Sequence, residues 1–154
     1  MAKVFDERRA IFVPASKPHP DCTEYRVAWG YENWGGNLVP VEKTQMVYKG
    51  KVAGMLSPSF PDKTIDKKAV RFASDLVEQG YGTGSRKSKL VLVVKEVLDT
   101  ADFDQIITAT KDEIEEYHQQ IQQGVVTRPV DVTFDNKLQV EEKLWAFLYR
   151  VDIR

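Results

Sequence analysis

The chain has 154 residues, of which 42% are hydrophobic and 29% charged, with a formal net charge of -1. That length suits one domain, and that balance excludes wholesale disorder. The near-zero charge excludes a global field that would steer the protein to nucleic acid or an anionic membrane, so any such binding has to use a local patch.

Cys22 is the only cysteine, which excludes a disulfide within the chain and points to a reducing, cytoplasmic compartment. The opening stretch MAKVFDERRAIFVPAS holds no apolar run of signal-peptide length. The longest clean apolar run, LVLVV at 90–94, is too short to span a bilayer, so no membrane association is expected.

In chain order, RRAIFVPAS predicts a short strand ended by Pro14, followed by a stiff loop, KPHPDC. In EYRVAWGYENW, Tyr25, Val27, Trp29 and Tyr31 share one face of a strand and Glu24, Arg26, Ala28 and Gly30 the other. GGN at 35–37 predicts a turn, and 38–48 a further strand. Gly50 predicts a tight hairpin into a strand running from Lys51 to about Leu56. Residues 1–60 thus read as an antiparallel meander.

Pro58 and Pro61 break that pattern. A helix follows, with Asp62 or Thr64 as its cap and Ile65, Ala69, Phe72, Ala73, Leu76 and Val77 on its apolar face. It ends near Gly80. KLVLVVKEVL predicts a strand covered on both faces. Thr100 or Asp102 opens the longest helix, over 102–123, which stops at Gly124. RPVDVTFDNKLQV predicts a strand, a polar turn and a return. The segment 140–153 fits a strand or a helical face, and its aromatic enrichment favours the strand. The expected fold is a single α+β domain over 1–154, two-layered. Its mainly antiparallel sheet is packed by two helices, one long, both on one face; 61–154 supply a helix, a strand, a helix and a hairpin.

The stretch EQGYGTGSRKSK, 78–89, raises the main functional question. Such a loop is commonly a helix C-cap and a connector. It also has what an anion site needs. Gly82 and Gly84 let backbone amides turn inward, Ser85 adds a hydroxyl, Arg86 binds a phosphate through paired hydrogen bonds, and Lys87 and Lys89 add point charges. Arg71, further back on the helix, and the turn residue Trp34 are candidate contacts for the same ligand. The order helix–loop–strand departs from both the Walker loop and the dinucleotide fingerprint, because no helix N-terminus follows.

Phe103, Ile107, Thr110, Ile114, Tyr117 and Ile121 are spaced as a coiled-coil seam. The seam either pairs two copies as a homodimer, through Phe103, Ile107, Ile114, Tyr117 and Ile121, or rests on the chain's own sheet. Of the two histidines, His19 stands near Cys22 without the signs of a catalytic pair, and His118 reads as a surface residue. Asp99 and Asp102 could share a divalent ion, but a capped helix start is the simpler reading. No nucleophile elbow, zinc spacing, redox cysteine pair or calcium loop is present.

The leading expectation is a small, cytoplasmic, non-catalytic binding or adaptor protein without cofactor or metal. Its ligand would be an anion, a nucleotide or a nucleic-acid backbone, held by loop 80–89. The alternatives are a protein-interaction factor acting through helix 102–123 or the meander's edge, and a metal-dependent hydrolase using carboxylates near 96–104.

Overall fold

A computed structural model describes residues 5–84, 88–122 and 128–153. Among them, seven strands form one sheet flanked by two helices. Strands β1 (Phe5–Pro14), β2 (Thr23–Trp34), β3 (Asn37–Tyr48) and β4 (Lys51–Ala53) form the expected meander. Helix α1 (Asp66–Glu78), strand β5 (Ser88–Glu96), helix α2 (Phe103–Ile121) and the hairpin of β6 (Val130–Glu141) and β7 (Leu144–Ile153) complete the chain. The sheet order is β4-β3-β2-β1-β5-β7-β6. The β1–β5 pair is parallel and the others are antiparallel. The fold is therefore α+β, with a mainly antiparallel sheet and two helices, one of them long.

The helices do not share a face, contrary to the sequence expectation. Ile11, Val13, Tyr25 and Val27 of β1 and β2, with Leu90 and Leu92 of β5, pack against Ala69, Ala73, Leu76 and Val77 of α1. Val91 of β5, Val132 of β6 and Phe147, Tyr149 and Val151 of β7 pack against Ile114 of α2 on the other side. The physical reason is visible in β5 and β7. Both carry apolar side chains at odd and even positions, so each of their faces needs cover.

Local details differ from the sequence reading in three places. Strand β4 stops at Ala53, and the polar turn expected inside 128–140 is a bulge between Phe134 and Asn136, so β6 runs on to Glu141. Segment 144–153 is a strand, as its aromatic alternation favoured. The N-cap of α1 is Ile65 without a side-chain cap bond, whereas α2 is capped as expected, the Asp102 side chain accepting from the Asp104 N–H at 2.9 Å.

Helix α1 ends at a left-handed glycine. Gly80 has φ +103, which lets the Gly80 and Tyr81 amides donate to the carbonyls of Val77 and Leu76. Helix α2 covers the β5–β7–β6 half of its face. Among the described residues no helix lies over the β1–β2–β3 half of that face, which carries the polar residues of β2.

Candidate functional site

A cleft of about 740 Å³ opens where α2 stops and the uncovered half of the sheet begins. Its volume suits a small ligand. Glu24 and Arg26 of β2 and Lys89 of β5 lie in its floor; Val47, Ile121 and Ile153 supply apolar wall; Thr83 and Gly84 close one side. Sheet register brings these groups together. Phe12 of β1 is the direct partner of Arg26 on one side and of Val91 on the other, and Lys89 precedes Val91 by two residues on the same face. Phe12 therefore sits between the two cations, with the Lys89 ammonium 4.5 Å from its ring centre.

Four side chains form a closed polar network at the inner end. The Lys89 ammonium donates to Glu24 Oε1 at 2.7 Å and to His118 Nε2 at 3.0 Å. The Tyr117 hydroxyl donates to Glu24 Oε2 at 2.7 Å. His118 Nδ1 lies 2.7 Å from the Ile114 carbonyl, which can only accept, so the proton sits on Nδ1 and Nε2 is left to accept from Lys89. Burial, then the Lys89 charge, lowers the His118 pKa to about 4, so the ring is neutral near pH 7. Burial beside the Glu24 carboxylate pushes the Tyr117 phenol well above its ordinary value. His118 is thus a buried residue, 2% exposed, and not the surface residue its polar neighbours suggested.

Closer to the mouth, the Arg26 guanidinium donates to Gln45 Oε1 and lies 3.8 Å from a Glu7 carboxylate oxygen. Residues 24 and 26 alternate with 25 and 27 across β2, which is why the charged pair faces the cleft while Tyr25 and Val27 enter the core.

The glycine loop borders this cleft in a way the sequence did not suggest. Thr83 forms a two-way bridge with Ala10 of β1, donating and accepting backbone bonds at 3.2 and 3.0 Å. A Cβ on Gly84 would lie 2.2 Å from the Arg8 carbonyl oxygen, and one on Gly82, at φ +119, 2.9 Å from the Ala10 nitrogen. These glycines let the loop lie flat on β1, and the Thr83 amide is spent on Ala10 rather than offered to an anion. Lys89 of this group reaches the cleft. Ser85, Arg86 and Lys87 lie outside the described residues.

The other sequence candidates are dispersed. Arg71 is an exposed residue of α1, on the opposite side of the sheet from Lys89. Trp34 is at the β2–β3 hairpin tip, 55% exposed, with its indole N–H on Glu32. The seam of α2 is turned onto the chain's own sheet. Ile114 is 1% exposed, Phe103 and Ile107 pack against the same cluster, Tyr117 reaches Glu24, and Ile121 lines the cleft. These five residues are intramolecular contacts, because the apolar lower face of β5, β6 and β7 needs cover.

Asp102 is occupied as the α2 cap, and among the described residues no group of three or more His, Cys, Asp or Glu side chains gathers to hold a metal. His19 contacts the Ser59 carbonyl, while the Cys22 thiol, its pKa raised by burial and by Asp21, lies near Gln120 and the Tyr117 carbonyl. They do not bond each other. No helix among the described residues is long and apolar enough to cross a membrane.

Glu24, Arg26, Glu7, Phe12 and His118 were missed as site residues. One signal was present for His118: it falls four residues after Ile114 and three before Ile121, on the apolar stripe. The others carried none, since their partners are distant in sequence. Comparison with protein-family models, with curated proteins and with solved structures finds no match to this chain.

Proposed function

We propose that this is a non-catalytic binding protein that takes up a small amphipathic molecule in the cleft, with an anionic end of the ligand directed at Arg26 and Lys89. One observation carries the reading: an open volume of about 740 Å³ on an otherwise helix-covered sheet, walled by apolar side chains and floored by two cations. The non-catalytic part is supported by the network itself. Both oxygens of Glu24 and both nitrogens of His118 are engaged by neighbours, which suits a scaffold better than a proton-transfer pair. A concave site flanked by apolar side chains favours a compact ligand over a nucleic-acid backbone. The lone cysteine supports a cytoplasmic setting.

The test is thermal melting with a panel of small metabolite classes, read for wild type and for Val52→Trp, which places an indole in the cleft mouth. Val52 lines the cleft and is 41% exposed, so the change leaves the core intact. A ligand at 100 times its dissociation constant adds about 2.7 kcal/mol to wild type. The shift should disappear in Val52→Trp. A panel without any shift, or a shift unchanged by Val52→Trp, sinks the proposal.

A further inference from the structure

Strand β4 is the outermost strand on its side of the sheet. The turn that follows it, closed by the Leu56 N–H donating to the Ala53 carbonyl at 3.2 Å, carries the most exposed large apolar side chain among the described residues. Met55 is 98% exposed, Leu56 55% and Val52 41%. A Cβ on Gly54 would lie 3.6 Å from Gln45 Nε2, and Gln45 accepts from Arg26, so this turn borders the cleft that Val52 lines. Apolar side chains gathered in water within one short segment gain no packing from the fold, and mark an interaction surface.

Charge indicates what covers them. The stretch 47–60 holds two lysines, Lys49 and Lys51, both exposed, and no carboxylate. The adjoining loop at 15–22, reached by the Lys49 N–H donating to the Cys22 carbonyl at 3.2 Å, adds Lys17 and Asp21, which offset each other. Lys51 pairs with Tyr48 and Val52 with Val47, so the two side chains leave β4 on opposite faces, and the surface they share is the outer edge of the sheet. A strand this short, flanked by lysines, is a poor template for pairing with another protein strand. Apolar side chains with cations beside them match the acyl boundary and the anionic headgroups of a lipid surface. We infer that the β4 edge docks on an anionic lipid surface, with Met55 and Leu56 entering the interface and Lys49 and Lys51 on the headgroups. This is a peripheral contact that needs no spanning segment, and through Val52 it brings the cleft mouth beside the bilayer. It goes beyond the binding reading above and does not depend on it.

The experiment is co-sedimentation of the wild-type chain with vesicles of phosphatidylcholine alone and of phosphatidylcholine mixed with phosphatidylserine. Wild type should pellet with the mixed vesicles and stay in solution with the neutral ones, and added salt should release it. Met55→Ser should weaken the partition about tenfold, the size expected for losing one apolar side chain from the interface. Lys49→Asn and Lys51→Gln should each weaken it about fivefold. Leu38→Ser, at a residue 69% exposed at the far end of β3, should leave it unchanged. All four sites are exposed, and an unchanged Tm for each variant separates lost docking from lost folding. Equal partition into both vesicle types, or a partition that Met55→Ser does not move, overturns the inference. So does a chain that pellets with neither; if it then self-associates and Met55→Ser abolishes that, the edge belongs to a second copy. Ligand-dependent melting is measured without vesicles, so the docking surface and the binding cleft fail separately.

Discussion

The ammonium of Lys89 lies 2.7 Å from an oxygen of Glu24, a carboxylate with no exposed surface. A buried pair of this kind is held by mutual dependence. Each charge costs several kcal/mol to desolvate, and that cost is offset only while the partner is present.

The first prediction follows from that dependence. Lys89→Met leaves the Glu24 carboxylate buried without its counter-charge and should cost about 3–5 kcal/mol, read as a lower urea midpoint. Adding Glu24→Leu to the same variant should recover much of the loss, since an apolar pair needs no desolvation. A double variant no more stable than Lys89→Met alone would mean the pair does not act as a unit.

His118 makes the same network sensitive to acid. Its pKa is lowered from 6.5 to about 4, first by burial, then by the Lys89 ammonium, against opposing pulls from Glu24 and the Ile114 carbonyl. Below pH 6.5 the unfolded chain takes up a proton that the folded chain refuses until about pH 4. This residue's share of stability is therefore complete above pH 6.5, falls as pH drops to 4, and is lost below. The loss totals about 3 kcal/mol. The measurement is the stability of wild type minus that of His118→Gln at pH 7 and pH 4.5. A difference that stays constant between them would refute a neutral buried imidazole.

What the sequence showed and what it hid divide along one line, the distance between partners. The apolar stripe of α2, the alternation in β2 and β7 and the double-sided β5 are local patterns, and each forms the element it implied. LVLVV at 90–94 even signalled cover on both faces, which already conflicts with both helices on one face. The site escaped because Glu24, Lys89 and Tyr117 are joined across 65 and 93 residues, and nothing near any of them marks the others. Glycines 82 and 84 show the reverse situation, a local pattern with a distant partner. Their local pattern resembled an anion cradle, but the strand they lie against is more than seventy residues earlier in the chain.

Asp66 gives a third prediction, on the other face. It is 2% exposed and accepts from the Ser16 amide at 2.9 Å, the Ser16 hydroxyl and the Tyr25 hydroxyl at 2.7 Å, pinning the exit of β1 and the middle of the core to the start of α1. Asp66→Ala strands those donors and should cost about 3 kcal/mol, lowering Tm by roughly 6–12 °C. Tyr25→Phe should cost less in the Asp66→Ala background than in wild type. Equal costs in both backgrounds would show that the hydroxyl does not depend on this carboxylate.

The contact between Gly84 and Arg8 separates a seated loop from a free connector. Alanine at 84 puts a methyl 2.2 Å from the Arg8 carbonyl oxygen, so loop or strand must move. Gly84→Ala should cost about 1–3 kcal/mol, as overpacking does. Gly54→Ala, where a methyl meets only the Gln45 amide at an ordinary 3.6 Å, should leave the amide exchange of β1 unchanged. Gly84→Ala should speed exchange at the Ala10 amide, which is bonded to Thr83. Wild-type exchange at Ala10 in Gly84→Ala would mean the loop does not rest on β1.

Ile114 decides what the long helix is for. At 1% exposure it sits among Val91, Val132, Phe147 and Tyr149 on the chain's own sheet. Ile114→Ala should therefore cost about 2–5 kcal/mol in unfolding free energy, with the cavity left inside one molecule. An interface between copies behaves differently, because truncating it changes the dissociation constant and makes Tm depend on protein concentration. Melting Ile114→Ala at two concentrations a hundredfold apart, with sedimentation alongside, distinguishes the two. A lowered Tm that is the same at both concentrations fits the intramolecular core, and an unchanged Tm accompanied by a shift to a smaller species would return the seam to a partner.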